Sequence, residues 1–75
     1  MREAAPSNRE ESILAFGRSW YKYGGGSEED IYVQFGLSAR SYFERLAVLL
    51  DGPAASGIDE PTLHTMRAVC ATRLR

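Results

Sequence analysis

Residues 27–50 read SEEDIYVQFGLSARSYFERLAVLL, and this stretch decides the predicted fold. Its opening serine, followed by three acidic residues, is typical of a helix start, because the hydroxyl caps free backbone N–H groups and the acids interact well with the helix dipole. Gly36 predicts the end of that helix, and Ser38 predicts the cap of the next. The stretch therefore predicts a short helix over 28–35, a glycine turn and a longer helix over 39–50.

The longer helix is strongly amphipathic. When successive residues turn by about 100°, five apolar side chains lie within one arc. These residues are Tyr42, Phe43, Leu46, Leu49 and Leu50. The opposite side carries Arg40, Ser41, Glu44 and Val48, with Arg45 on the flank. We expect the adjacent aromatic pair to supply one buried ring and one partly exposed ring. In the shorter helix, Ile31, Tyr32 and Phe35 are expected to face inward.

A first helix is predicted ahead of the central stretch, over residues 8–23. Ser7 has the spacing that begins a capping box. Apolar residues recur at steps of three and four and form one face. These residues are Ile13, Phe16, Trp20 and Tyr23. Gly17 permits another helix to pack closely, and the glycines at 24–26 end this helix. Residues 1–6 are predicted to be a flexible terminus.

A fourth helix is predicted over residues 60–74. It is expected to start near Asp59, with Pro61 in its first turn, where proline is tolerated. Its apolar stripe consists of Leu63, Met66, Val69, Cys70 and Leu74. The other side carries Arg67, Arg73 and Arg75. Residues 54–57, AASG, form a linker of small residues. The fold class is therefore all-α, a small four-helix domain over residues 7–75.

Composition restricts the chemistry. The chain has 75 residues and a formal net charge of −1, with one cysteine and one histidine. No potential metal ligand or catalytic partner lies at a suitable sequence distance from Cys70 or His64. We therefore expect no metal, no cofactor and no enzyme activity. No secretory segment or membrane span is evident, and a cytoplasmic location is expected. From Pro61 onward there are three arginines and no acid, so positive charge concentrates towards the end of the chain.

A short helix, a glycine turn and a longer helix form the helix-turn-helix pattern, whose second helix can enter the major groove of DNA. Ile31, Phe35 and Leu37 occupy its first apolar places. The later apolar places match Phe43 and Leu46 only if the turn is one residue longer than usual. Tyr32 occupies a position where the motif normally has a small residue, because the two helices cross closely there. The motif therefore fits with two departures.

The exposed side of helix 39–50 supplies the candidate DNA contacts. Arg40 is the best candidate for guanine, whose O6 and N7 accept paired donors. In an alternative interpretation, Arg40 and Glu44 simply form an exposed pair at i,i+4. Arg45 is expected to hold phosphate. The full candidate set is Ser38, Arg40, Ser41, Glu44 and Arg45, together with Lys22 and Arg18 as phosphate contacts from the first helix.

Residues 13–51 resemble a family of short actinobacterial proteins of unknown function that are regarded as helix-turn-helix-like. The segments that carry the resemblance are ILAF at 13–16, WYKY at 20–23, GSEEDI at 26–31, FGLSARSYFERL at 35–46 and LLD at 49–51. The family's Thr-Arg before the aromatic pair corresponds here to Arg40-Ser41. The C-terminal tail of this chain has fewer arginines than the arginine-rich tail of the family. The resemblance implies a small DNA-binding or regulatory protein.

Two functions remain open on the sequence. The first is a sequence-specific DNA-binding protein, a small transcriptional regulator that reads double-stranded DNA with helix 39–50. The second is a protein-interaction module that docks on a larger partner, such as the transcription machinery, without touching DNA. The near-neutral charge favours the second, because a monomer with few arginines binds DNA weakly. DNA binding is compatible with the near-neutral net charge if the protein is a homodimer, since two recognition helices double the number of phosphate contacts.

Overall fold

The computed structural model describes residues 8–75, and within this range it contains four α-helices and no strand. The α-helices are α1 (Asn8–Trp20), α2 (Glu28–Phe35), α3 (Ala39–Leu50) and α4 (Glu60–Arg73), with short 3₁₀ helices at Tyr21–Tyr23 and Pro53–Ala55. This confirms the all-α prediction. The predicted flexible terminus at 1–6 and the predicted cap Ser7 lie outside the described residues.

Side-chain caps begin three of these helices, and the caps at Ser27 and Ser38 were predicted. The hydroxyl oxygens of Ser27 and Ser38 accept hydrogen bonds from the backbone N–H three residues further on, at 3.0 and 3.1 Å. The carboxylate of Asp59 does the same at the start of α4, at 3.3 Å. Gly36 ends α2 with a φ of +70°, a left-handed conformation that glycine adopts without a steric penalty. Local chemistry therefore sets these helix boundaries.

The core is built around α3, which contacts each of the other three helices. Its two adjacent aromatic rings are both fully buried, so the expectation that one would be partly exposed was wrong. The Tyr42 hydroxyl donates a hydrogen bond of 3.0 Å to the carbonyl of Ile13, which satisfies it inside the core. Its ring lies 4.8 to 5.4 Å, centroid to centroid, from those of Phe16, Phe35 and Phe43. Burial raises the pKa of the Tyr42 hydroxyl.

The first helix lies close against α3 and α4 at Gly17, as predicted. A Cβ atom added there would sit 3.0 Å from Met66 Cε and 3.1 Å from a Leu46 Cδ atom. Contacts this short require a neighbouring side chain to move. Gly17 therefore has a packing role that offsets its helix-propensity cost of roughly 1 kcal/mol.

Two tyrosines expected to face inward are exposed instead. Tyr32 on α2 is 65% exposed and Tyr23 is 74% exposed. The α-helical part of the first helix ends at Trp20, and the following residues form a tighter 3₁₀ helix, which shifts Tyr23 off the apolar face. The segment expected to be a plain linker instead contains the 3₁₀ helix at Pro53–Ala55, with Ala55 buried.

Two arginines expected on the solvent side of α4 make tertiary contacts. The guanidinium of Arg73 donates hydrogen bonds of 2.8 Å to the carbonyls of both Gly24 and Gly26, and it lies 4.6 Å from the centre of the Phe43 ring. Arg67 donates to the carbonyl of Leu50 at 3.1 Å and pairs with Asp51 at 3.2 Å. These contacts tie α4 to the glycine loop and to the end of α3.

Substitution of Arg73 by alanine is expected to lower the free energy of unfolding by about 1–3 kcal/mol, because two charge-assisted hydrogen bonds and a ring contact are lost. Arg73→Lys should recover part of this loss, since lysine keeps the charge and its N–H donors but lacks the planar guanidinium that lies over the Phe43 ring. Arg75→Ala, which removes an exposed arginine two residues away, is the matched control. Urea unfolding followed by circular dichroism measures all three, and equal stability of Arg73→Ala and Arg75→Ala would contradict the assigned contacts.

Within residues 8–75, no helix combines the length and apolar character needed to cross a membrane.

Candidate nucleic-acid interface

The polar side of α3 forms one continuous surface at the beginning of the helix. Burial of Tyr42 and Leu46 fixes which side of α3 faces the core, and the opposite side is therefore presented to solvent. Five predicted residues lie together there, at the cap and on the first two turns. These are Ser38, Arg40, Glu44 and Arg45, which are exposed, and Ser41, which is half-buried. This group is called the α3 polar face below.

At the centre of the α3 polar face is an ion pair. Arg40 Nε lies 3.4 Å from a carboxylate oxygen of Glu44, and the two side chains are 69% and 56% exposed. This confirms the predicted i,i+4 pair. Such an exposed pair stabilises a helix by only a few tenths of a kcal/mol. The guanidinium of Arg40 can therefore leave Glu44 for a stronger acceptor at little cost.

A groove of about 500 Å³ runs between α1 and α3 beside the α3 polar face. Arg45 and Ser41 lie on one wall and Ile13 on the other. Two acids, Glu10 and Glu44, also line it. Their negative charge reduces the positive potential that Arg45 presents, so this side of α3 is less basic than the count of arginines suggests.

Within residues 8–75, no hydrogen bond or ion pair joins Arg18 or Lys22, the two basic residues expected from the first helix, to the α3 polar face. Arg18 lies near Asp59, at the start of α4. The pKa of Asp59 is lowered mainly by hydrogen bonds from the Thr62 hydroxyl and backbone N–H, and the charge of Arg18 adds to this. Lys22 lies exposed in the 3₁₀ helix that follows α1.

One arginine at the α2–α3 turn was missed by the sequence reasoning. Arg9 Nη2 donates a hydrogen bond of 2.8 Å to the carbonyl of Phe35, the last residue of α2. A cation there interacts well with the negative end of the helix dipole. The contact spans 26 residues, and no local pattern in the sequence signals it. It places a further positive charge next to the turn that leads into α3.

The described residues contain no group of three or more His, Cys, Asp or Glu side chains placed to hold a metal ion. Cys70 is buried, and desolvation raises the pKa of its thiol to about 11. Its nucleophilic thiolate form is therefore scarce at neutral pH.

No curated protein and no solved structure matched the chain. A protein-family model matches residues 6–75, a range that includes all four helices, the α3 polar face and the whole of residues 13–51. By this match, the chain belongs to the family described as "Protein of unknown function (DUF3263)".

Proposed function

We propose that this protein is a small DNA-binding regulator in which α2 and α3 form a helix-turn-helix and α3 is the recognition helix. One observation carries the proposal: the buried side of α3 is anchored by Tyr42 and Leu46, so its polar side faces solvent directly after the glycine turn. A recognition helix needs this arrangement, because its first exposed side chains must reach base edges while the rest of the domain supports it.

Burial along the motif supports the alignment with the longer turn. Ile31 is fully buried, and Leu37 is half-buried in the turn. Phe43 and Leu46, the residues that the longer turn assigns to the later apolar places, are both buried. The side chain of Tyr32 points largely to solvent, so it does not separate α2 from α3. The two departures from the usual template are therefore compatible with a helix-turn-helix.

Each polar side chain has a distinct proposed role. Arg40 reads guanine, and Glu44 accepts from cytosine N4 or disfavours other sequences. Ser38 and Ser41 donate to phosphates or base edges. Arg45 holds phosphate on the flank of the helix. Two candidates away from α3, Arg18 and Lys22, contact phosphate further along the duplex.

The small positive charge of the α3 polar face makes a homodimer part of the proposal. The α3 polar face has two arginines and one glutamate, and the whole chain has a net charge of −1. Paired half-sites on DNA lie about 34–36 Å apart. The longest dimension of one copy, 38 Å, is close to this separation. A cytoplasmic location and the resemblance to actinobacterial helix-turn-helix-like proteins fit this function.

Salt dependence tests the proposal directly. Binding of the full chain to a random-sequence duplex should weaken steeply as salt rises, because each neutralised phosphate contributes about −0.9 to the slope of log K against log salt. Contacts by Arg45, Arg18 and Lys22 predict a slope of about −3 for one copy and about −5 for a dimer. Fluorescence anisotropy gives the slope, and analytical ultracentrifugation gives the oligomeric state. Absence of binding at low salt would overturn the proposal.

The near-neutral charge favours a second function, docking on a larger protein such as the transcription machinery without direct DNA contact. Apolar side chains outside the α3 polar face are available for it, since Tyr23, Tyr32 and Val33 are 65% to 77% exposed. A stable complex with a protein partner, together with no duplex binding at low salt, would select this function over the first.

A further inference from the structure

A second groove, of about 480 Å³, lies between α1 and α2. Its α1 side combines three small residues, Ser12, Ala15 and Ser19, with the rings of Phe16 and Trp20. Small residues at this spacing let a backbone approach the helix closely, while the two stacked rings, 5.9 Å apart between centroids, provide an apolar wall. This surface is called the α1–α2 groove below.

The α2 side of the groove adds an uncovered apolar residue. Val33 lines it and is 77% exposed, and it is one of the most exposed large apolar residues among those the structure describes. Trp20, on the opposite side, is half-buried. An apolar side chain inserted between Val33 and Trp20 would remove both from water, which is favourable in proportion to the apolar area covered.

Charge in the α1–α2 groove has a single sign. Glu29 and Asp30 line it, both are exposed, and neither carboxylate makes an ion pair with another described residue. No lysine or arginine among the described residues lines this groove. The face of the Trp20 ring also attracts cations. The groove is therefore complementary to a segment that carries positive side chains beside an apolar one.

From this complementarity we propose that the α1–α2 groove binds a basic amphipathic helix of another protein. The partner inserts an apolar side chain between Val33 and Trp20 and places lysine or arginine against Glu29 and Asp30, the helix-in-groove mode of peptide recognition. This site does not depend on whether α3 binds DNA.

Two other occupants are disfavoured by the same charges. Duplex DNA would bring phosphates against Glu29 and Asp30. A symmetric dimer through this groove would place those carboxylates against their own copies, because a two-fold interface joins the same patch on both subunits. A different polypeptide with basic residues meets neither repulsion.

Selection of peptides on the folded 75-residue chain tests the proposal. A displayed library of random peptides of about fifteen residues is long enough to form the helix that fills such a groove. The selected peptides should carry lysine or arginine next to large apolar residues. Synthetic copies are then titrated while Trp20 fluorescence is followed, since Trp20 is the sole tryptophan and lies in the groove. Enrichment of acidic peptides, or no enrichment, would overturn the proposal.

Matched variants locate the binding. Val33→Ser and the double change Glu29→Gln with Asp30→Asn should each weaken binding of the selected peptides about tenfold. Val48→Ser and Glu28→Gln remove an exposed valine and an exposed acid, but neither residue lines the groove. These two controls should bind normally. Thermal unfolding checks that each variant is folded. Equal loss in the variants and their controls would overturn the assignment.

The Val33→Ser variant also tests the two other occupants, a second copy of the chain and duplex DNA. A homodimer that Val33→Ser dissociates would assign the groove to a second copy of the chain. Duplex binding that Val33→Ser abolishes would assign it to DNA. Either result would overturn the proposed basic helix.

Discussion

Replacement of Leu46 by alanine is expected to lower the free energy of unfolding by about 2–5 kcal/mol. Leu46 is 2% exposed and lies at the centre of the buried side of α3. Its methyl groups lie next to Gly17 of α1. Glycine has no side chain that can move into the space left by the truncation, so much of the cavity should remain. A domain of this size has modest stability, and this loss is a large part of it.

Val48→Ala is the matched control for Leu46, because it truncates an apolar residue of the same helix that is 71% exposed. We expect a change within about 0.5 kcal/mol for Val48→Ala. Urea unfolding followed by circular dichroism compares the two. If Leu46→Ala is unfolded in water, the milder change Leu46→Met can be measured instead. It is expected to lower the free energy of unfolding by less than about 1.5 kcal/mol. Equal effects at the two positions would show that the buried side of α3 has been assigned wrongly.

Arg40→Ala should weaken specific DNA binding by about 1–3 kcal/mol, a loss of roughly fivefold to more than a hundredfold in affinity. The reason is that a guanidinium offers paired donors to O6 and N7 of guanine, and alanine offers none. The fold should be unaffected, because the Arg40 side chain is 69% exposed and its recorded contact is the exposed pair with Glu44. A duplex obtained by selection from a random library serves as the ligand, and anisotropy gives the affinity.

Glu44→Gln separates loss of the arginine from loss of the ion pair. It breaks the same pair but leaves Arg40 in place, and it removes a negative charge from the α3 polar face. Affinity for random duplex should therefore rise slightly. Unchanged affinity of Arg40→Ala for the selected duplex would remove Arg40 from the reading surface, even if the protein still binds DNA through other residues.

The helix boundaries were predictable because their causes are local. Ser27, Ser38 and Asp59 each accept a hydrogen bond from a backbone group three residues away, so the signal and its effect lie within one turn of helix. The glycine turn at Gly36 is equally local. The residues of the α3 polar face were predictable from helical periodicity. Residues that share a helix face recur at fixed steps, so the apolar side of α3 also defines its polar side.

The positions of Arg9 and Arg73 were not predictable in this way. Each guanidinium binds backbone carbonyls that lie 26 to 49 residues away, and no spacing in the sequence encodes such a contact. Tyr32 was misplaced for a related reason. The periodicity of an eight-residue helix defines its apolar arc loosely, and the packing of α2 against its neighbours decided that Ile31 is buried while Tyr32 is not.

Caps, glycines and apolar periodicity in the sequence were sufficient to determine four helices, their approximate ends and the polar side of α3, because these features depend on neighbours within a few residues. Tertiary packing alone decided which charges are available for binding. It placed Arg73 and Arg67 in structural contacts, Arg9 at the turn before α3, and Glu29 and Asp30 on the edge of the α1–α2 groove. Those outcomes depend on helices meeting in three dimensions, where distant backbone carbonyls and side chains become neighbours.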